Sequence, residues 1–347
     1  MASDPAEPAP ARDPDGLASQ AAPVEPAGHA GGRALRPSVG GATAGHEQPV
    51  EHVLARASGR AGRNLPSAVG IGLGLGALIV ASLFVVRQVF AVVAAVAAVI
   101  AVLEIAGALA GRAIIIPRLP VLASTVAILA AALFGGPDAL VIVFGLAVTL
   151  IVSWTLVAPV RHPRSPTGTG AGPRSVPNAG DTSAAVFTTA YVPLLAAFAL
   201  LLLRQPDGDV RVLTLILLVV CSDTGGFVAG VLWGRHALAP RISPKKSWEG
   251  LAGSGAAAVL AGVAVSVLFF EASWWKGVLL GLVTVVVATL GDLGESMIKR
   301  DLEIKDMSSL LPGHGGLMDR MDSLLAAAPV VWLVLTFLVS PVPHPWR

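Results

Sequence analysis

The chain has 347 residues, of which 54% are hydrophobic and only 13% are charged. Soluble domains carry roughly 25% charged residues, so this chain lacks the polar surface of a water-soluble globule, and lipid must surround most of its length. The formal net charge of +2 gives no reason to expect nucleic-acid binding. The single cysteine, Cys221, excludes a disulfide framework within the chain.

The first part of the chain differs in composition from the rest. Residues 1–64 are rich in Pro, Ala and Gly, with scattered charges and no apolar face at helical spacing. Such a segment buries too little apolar surface to offset its chain entropy. We therefore predict a disordered cytosolic tail over 1–64 and a multi-pass membrane catalytic domain over 65–347.

Apolar runs follow one another after residue 65. A helical span needs about 20 predominantly apolar residues to cross a hydrocarbon core of about 30 Å. This length predicts an all-α, polytopic integral membrane protein with about nine transmembrane helices. The nine candidates lie near 66–86, 88–110, 119–135, 138–158, 184–203, 211–233, 251–270, 277–298 and 323–340.

The distribution of Lys and Arg predicts the orientation. With nine spans and a cytosolic amino terminus, sixteen of these residues fall in or beside the inner loops and five on the outer side. Cytosolic loops of membrane proteins carry such an excess of positive charge. We therefore expect an inner-membrane protein whose large basic loops face the cytosol.

Carboxylates inside apolar spans are the candidates for chemistry, because a charge near mid-bilayer costs a few kcal/mol. Asp223 lies in the sixth span, and Asp292 and Glu295 lie at the end of the eighth. Glycine and hydroxyl residues flank Asp223 and Asp292, which favours a ligand site over a simple helix lock. For Glu104, in the second span, a structural and a functional role are equally open.

Helical spacing gathers some of these groups. Asp292, Glu295, Ser296 and Lys299 stand at i, i+3, i+4 and i+7 and so share one helix face. Carboxylates near lysines and arginines suggest Mg²⁺ together with phosphate, because Mg²⁺ commonly uses one or two carboxylates plus substrate phosphates.

Two loops that we expect to be cytosolic add cations and glycines. The segment RISPKKSWEG occupies 241–250, and KRDLEIKD at 299–306 leads to the stretch LPGHGGLMDRMDS at 311–323. Glycine-rich backbone beside cations can hold phosphate oxygens, and His314 is a candidate donor to a phosphate. These features predict a nucleotide and metal site at the membrane surface.

Four blocks, which follow one another along the chain in the family's order, resemble the signature of the phosphatidate cytidylyltransferase (CDP-diacylglycerol synthase) family. The pattern S-x-φ-K-R-x₄-K-D, then P-x-H-G-G-φ-x-D-R-φ-D with φ apolar, is matched between Ser296 and Asp322. The S-D-T-G block is matched at 222–225, S-P-K-K-S-W-E-G at 243–250, and G-D-L at 291–293. The resemblance covers roughly residues 65 to 340.

This resemblance implies an enzyme that transfers CMP from CTP to phosphatidate, giving CDP-diacylglycerol and pyrophosphate. It implies Mg²⁺, with K⁺ as a further candidate, on Asp292 and Asp319, and next on Asp223 and Asp322. The bilayer, CTP and phosphatidate are the expected partners, and a homodimer is one open expectation for the oligomeric state.

The resemblance also implies roles for the remaining motif residues. The catalytic set comprises Asp319, Asp292, Lys299 and Arg320. The substrate-binding set comprises Ser222, Thr224, Ser243, Lys245, Lys246, Trp248, Glu249, Arg300, Lys305, His314, Gly315 and Gly316. Among the basic residues, those that bind CTP are not separated from those that bind the lipid phosphate.

Three other interpretations stay open at this point. One is a CTP-using lipid kinase, such as a polyprenol kinase, and another is a cytidylyltransferase for an unusual lipid. The third is a transporter that uses intramembrane acids as an ion path. A transporter is expected to spread its acids through the bilayer, whereas Asp292, Glu295, Asp319 and Asp322 cluster at the predicted cytosolic ends of spans.

Overall fold

A computed structural model of the chain describes residues 74, 76–77, 81–83, 86–157, 179–308, 310 and 315–340. The predicted tail, most of the first candidate span and His314 lie outside these residues. The elements are α1 (Arg87–Ala110), α2 (Arg118–Ala130), α3 (Gly136–Val157), α4 (Ala179–Thr189), α5 (Leu195–Leu203), α6 (Gly208–Trp233), β1 (Ala237–Ala239), β2 (Ser243–Ser247), α7 (Trp248–Leu268), α8 (Trp274–Asp301) and α9 (Met318–Leu338). π-Helical turns at Ala131–Gly135 and Ala190–Leu194 join α2 to α3 and α4 to α5.

The predicted all-α, multi-pass membrane class is confirmed. Within the described residues, seven helical stretches are long and apolar enough to cross a membrane. Many of their large apolar side chains point outward, including Val141, Leu156 and Phe337, which are more than two-thirds exposed. An apolar exterior of this kind is suited to lipid rather than water.

The count of about nine spans is not confirmed. One stretch, Arg118–Val157, has 40 residues, which at 1.5 Å per residue is about 60 Å, twice the thickness of a hydrocarbon core. Gly136 interrupts it with φ 82° and ψ −164°, a conformation that favours glycine. Helices α2 and α3 pack against each other across this break, so the stretch contains both of the runs expected at 119–135 and 138–158.

Helices α6, α7, α8 and α9 form the part of the bundle that carries the motif residues. Each packs against the next in chain order. Between α7 and α8 the backbones approach closely at Gly281, where an added Cβ would lie 2.6 Å from the carbonyl oxygen of Ala258. Small residues permit such approach between membrane helices.

The segment between α6 and α7, expected as a loop, contains a short β-hairpin. Strands β1 and β2 pair antiparallel, with Ala237 opposite Ser247 and Ala239 opposite Ser243. Ser247 then caps α7, because its Oγ accepts a hydrogen bond from Gly250 N at 3.1 Å. The hairpin therefore fixes the two lysines of its second strand relative to the helices.

Candidate active site

A cavity of about 300 Å³ with several charged side chains in its lining lies among α6, α7, α8 and strand β2. Helix α6 contributes Ser222 and Asp223, β2 contributes Lys245 and Lys246, and α8 contributes Asp292. Residues from separate motif blocks therefore face one space. Two carboxylates and two ammonium groups give it alternating charge.

Glycines beside the acids bring the helices together. A Cβ added at Gly225 would lie 2.7 Å from the carbonyl oxygen of Gly253, so a larger residue here would force α6 and α7 apart. A Cβ added at Gly291 would lie 2.8 Å from the carbonyl oxygen of Asp322, so a larger residue here would force α8 and α9 apart. The sequence suggested that these glycines leave room for a ligand. At both positions the structure instead uses the glycine for close packing against a neighbouring helix.

Lys246 and Asp292 form an ion pair on the cavity wall. The Lys246 Nζ lies 2.5 Å from Asp292 Oδ2, and Ser296 Oγ lies 3.4 Å from Asp292 Oδ1. The side chains of the pair are 25% and 34% exposed. The pair is thus accessible to a ligand that enters the cavity.

A second ion pair joins α8 to the start of α9. The Lys299 Nζ lies 2.8 Å from Asp319 Oδ1 and 3.4 Å from Glu295 Oε1. Glu295 is completely buried. A buried carboxyl group is expensive to ionise unless it is paired, and Lys299 lies within ion-pair distance of both acids.

Asp319 also organises the turn that precedes α9. Its Oδ2 accepts hydrogen bonds from Gly316 N at 2.8 Å and Met307 N at 3.0 Å. Gly315 has φ 80°, in the left-handed region that glycine adopts easily. A Cβ at Gly316 would lie 2.9 Å from Glu104 Oε2, so a side chain at this position would have to displace the end of Glu104.

Glu104 of α1 ties that turn to the rest of the bundle. Its carboxylate accepts from Ser308 Oγ at 2.6 Å, Leu317 N at 2.9 Å and Met318 N at 2.7 Å. A carboxylate at a helix N-terminus satisfies unpaired N–H groups and the helix dipole. Of the two roles left open for Glu104, the structure therefore favours the structural one.

The donor set of the cavity suits Mg²⁺. Asp223 and Asp292 both line it, and Mg²⁺ is usually held by one or two carboxylates with substrate phosphates and water. No group of three or more His, Cys, Asp or Glu among the described residues is gathered for a metal. The two carboxylates therefore fit an ion whose other ligands come from substrate and solvent.

The other two predicted metal ligands lie behind this wall. Asp319 is engaged by Lys299 and the turn amides, and its side chain is 7% exposed. Asp322 is buried, with Oδ1 accepting from Ser323 N at 2.6 Å. Ser323 itself lines the cavity, so both acids lie on α9 within one turn of it.

Several predicted substrate-binding residues lie beside the cavity rather than in its lining. Glu249 Oε1 lies 2.6 Å from His236 Nδ1, and its Oε2 accepts from His236 N at 3.3 Å. It therefore fastens the start of the hairpin to α7. Thr224 and Trp248 are exposed, and Ser243 is half-buried.

The remaining basic residues are spread around the same end of the bundle. Arg300 Nε donates to Ile242 O at 3.4 Å, which links α8 to the hairpin. Lys305 is exposed in the segment after α8. Arg320 is exposed and lies beside apolar side chains of α1, α5, α6 and α9.

Sequence reasoning gave no site role to two residues that the geometry singles out. Glu295 was recognised on the Asp292 helix face, but nothing in the pattern marked it as completely buried. Nothing in the sequence pattern assigned a role to Ser254. Its Oγ donates to Ser222 O at 2.7 Å, which pins α7 to α6 beside Asp223.

Comparison with known proteins places the chain in a family. The model of the cytidylyltransferase family matches residues 67–338. A phosphatidate cytidylyltransferase of Mycobacterium leprae is 41% identical over 292 residues, covering 80% of this chain and 90% of that protein. One of Mycobacterium bovis is 38% identical over 296 residues, covering 84% and 96%. The resemblance seen in the motifs is confirmed, and the chain belongs to the cytidylyltransferase family.

Proposed function

We propose that this protein transfers CMP from CTP to phosphatidate and releases pyrophosphate. The observation that carries the proposal is the single cavity faced by Asp223, Asp292, Lys245 and Lys246. Lysines suit a triphosphate, and paired carboxylates suit the divalent ion that accompanies it. The relatives named phosphatidate cytidylyltransferase support the choice of lipid substrate.

In the proposed reaction, a phosphate oxygen of the lipid attacks the α-phosphorus of CTP. The new O–P bond forms as the bond between the α-phosphorus and the bridging oxygen to the β-phosphate breaks. Pyrophosphate leaves with that bonding pair. Such a transfer depends mainly on positioning and electrostatic stabilisation rather than on covalent help from the protein.

The basic residues of the cavity supply the electrostatic stabilisation. Lys245 and Lys246 are held by β2 at the cavity wall and would bind the triphosphate. Lys299 lies one helix turn along from Glu295 and Ser296, and its charge is fixed by Asp319 at 2.8 Å. Donors already held in place lose no reorganisation energy during the reaction.

Mg²⁺ would be held by Asp223 and Asp292, with Asp319 and Asp322 as the adjoining carboxylates. When bound, it would offset the charge that develops on the leaving pyrophosphate. Lys246 now neutralises Asp292. In the proposed complex this lysine would turn to phosphate oxygens instead.

We further propose that the cavity opens to the cytosol, where CTP is found. The support is the excess of Lys and Arg in the loops at this end of the bundle, which is the cytosolic pattern. A site at this depth lets a lipid headgroup and a soluble nucleotide meet at one surface.

Radiolabelled CTP tests the reaction. Purified full-length protein with phosphatidate should move label from the α-phosphate of CTP into lipid and release one pyrophosphate for each lipid formed. Omission of Mg²⁺ should stop both. Label arriving from the γ-phosphate would establish a lipid kinase instead. Ion or solute flux in liposomes without CTP turnover would establish a transporter.

A further inference from the structure

The cavity of the candidate active site has an apolar part as well as a charged part. Three large apolar side chains line it: Phe227 from α6, Leu238 from β1 and Leu251 from α7. Among the described residues of the lining, no large apolar side chain comes from α8, the helix that carries Asp292. The apolar part is therefore built by the hairpin and the two helices that the hairpin joins.

Phe227 is the one aromatic residue among the described residues that line this cavity. It is 60% exposed, so much of its ring is accessible to a ligand. A phenyl ring offers no ligand to a metal ion and no hydrogen-bond donor to a phosphate, and the charged residues of the lining already provide both. Aromatic rings do stack on nucleobases, so Phe227 suits the remaining part of a nucleotide.

Phe227 lies one helix turn from Asp223. The two residues are four positions apart on α6, so they share a helix face and are separated by about 6 Å along the helix axis. Gly230 also lines the cavity, and a Cβ added there would meet no atom nearer than 3.6 Å. Free space therefore continues along α6 from Asp223 past the ring of Phe227.

The covalent structure of CTP matches this division of the cavity. Its α-phosphorus is joined to the ribose and base on one side and to the β-phosphate on the other. In the proposed complex the α-phosphate lies between Asp223 and Asp292, and Lys246, which pairs with Asp292, attracts the β- and γ-phosphates. The base then extends along α6 towards Phe227.

We infer that Phe227 stacks on the cytosine ring of CTP, with Leu238 and Leu251 packing around the base. This inference rests on the proposed function and deepens it, because it locates the nucleobase within the cavity. Every nucleobase has a π face, so stacking on Phe227 strengthens nucleotide binding without selecting cytosine over other bases.

Phe227→Ala tests the inference by removing the ring. The measurements, on purified full-length protein with phosphatidate, are kcat, KM for CTP and the inhibition constant of pyrophosphate, the product that lacks a base. KM for CTP should rise about tenfold, the equivalent of about 1.4 kcal/mol, because a stacking partner of the base is lost. The values of kcat and of the inhibition constant should stay near those of the wild type, because the phosphates and the reacting atoms keep their contacts.

Two further substitutions separate stacking from simple apolar contact. Phe227→Tyr keeps the aromatic ring and should keep the wild-type KM for CTP. Phe227→Leu keeps an apolar side chain without a ring and should show the raised KM. Phe134→Ala is the matched control, because Phe134 is 78% exposed in the π-helical turn between α2 and α3 and is not part of the cavity lining. Its KM for CTP should equal that of the wild type.

Three results would overturn the inference. A wild-type KM for CTP in Phe227→Ala or Phe227→Leu would mean that the base does not stack on this ring. An equal loss for pyrophosphate and for CTP would mean that Phe227 shapes the whole cavity rather than the part that holds the base. Either result would leave the proposed function intact. Wild-type protein that does not turn over CTP with phosphatidate would remove the proposed function and this inference together.

Discussion

Two polar clusters lie at opposite ends of the same helices. One surrounds Arg211 at the start of α6, and the other surrounds Lys299 at the end of α8. Along α9, Leu335 at the first cluster and Asp319 at the second are sixteen residues apart, about 24 Å. Both clusters contain ion pairs, Arg211 with Asp207 at the start of α6 and Lys299 with Asp319 between α8 and α9, yet they differ in how their charges are satisfied.

The Arg211 cluster is closed. Arg211 and Asp207 are almost completely buried, with Nε 2.6 Å from Asp207 Oδ1. The two other guanidinium nitrogens donate to Leu335 O at 2.7 Å and Val339 O at 3.1 Å. Every nitrogen of the side chain is therefore bonded within the protein, and the cluster fixes the end of α9 to α6.

The Lys299 cluster is adjacent to an open wall. Lys246 and Asp292 are partly exposed on a cavity, and Glu295, three residues after Asp292 on α8, is completely buried. Carboxylates there outnumber the cations that pair with them. The comparison indicates that an intramembrane ion pair has a structural role when all of its polar atoms are bonded within the protein. Such a pair is a candidate for chemistry when it borders a cavity.

Asp292→Asn should have the largest effect on activity. Loss of its charge removes a proposed metal ligand and the partner of Lys246, and removal of one electrostatic stabiliser commonly lowers kcat by about 10²–10³. The thermal unfolding midpoint should change little, because Asp292 is partly exposed. CTP turnover and unfolding of the purified protein measure both quantities.

Asp301→Asn is the matched control, since Asp301 is exposed at the end of the same helix. Its turnover should equal that of the wild type. An Asp292→Asn protein that retains full turnover would contradict two claims: that the Lys299 cluster takes part in chemistry, and that Asp292 holds the metal.

Arg211→Met should have the next largest effect, on stability rather than on chemistry. Removing one partner of a buried ion pair commonly costs 3–5 kcal/mol, so we expect a loss of about that size here. The folded fraction should keep the wild-type turnover per molecule, because the cluster lies about 24 Å from Asp319 along α9. Unfolding in detergent and active-site titration check the two parts.

Arg118→Met, an exposed arginine at the start of α2, is the control and should change stability little. If Arg211→Met lowered turnover per folded molecule as strongly as Asp292→Asn, the division between a structural and a chemical cluster would be wrong.

Sequence reasoning reached the fold class and much of the site for physical reasons. Apolar runs must be helices in lipid, because backbone groups there have no water to bond. Asp223 and Asp292 stood out because charge is rare in such runs. Complete burial depends on packing between helices distant in sequence, which no local pattern reports, so Glu295 was not assigned a role. The same holds for Glu104, whose partners are more than 200 residues away.

The hairpin was missed for another reason. The segment with β2 reads as a loop because its lysines and Pro244 have no strand periodicity, and its pairing with Ala237–Ala239 is not marked by any local pattern. By contrast, the two runs expected at 119–135 and 138–158 are both present in the stretch Arg118–Val157, and the backbone of Gly136 separates them.

Of the substitutions at Asp292, Arg211 and Glu295, Glu295→Gln should have the smallest effect. It tests a buried member of the Lys299 cluster. Glu295 touches no substrate in the proposed reaction, and it acts through Lys299, whose Nζ lies 3.4 Å from Oε1. We expect kcat to fall about tenfold, the equivalent of about 1.4 kcal/mol, with KM for CTP nearly unchanged. Glu303→Gln is the control, because Glu303 is 79% exposed in its pair with Arg112, and exposed pairs contribute little.

The split between kcat and KM separates a positioning role from a purely structural one. A Glu295→Gln protein that merely folds less well would lose active molecules, and kcat corrected for the active fraction would stay at the wild-type value. A positioning role predicts that the corrected kcat stays low and that Glu295→Asp, which keeps the carboxyl group on a shorter side chain, recovers part of it. Because Glu295 lies on α8 between Asp292 and Lys299 in sequence, this partial recovery would show that a carboxyl group outside the cavity lining, and not only the lining itself, distinguishes the Lys299 cluster from the Arg211 cluster.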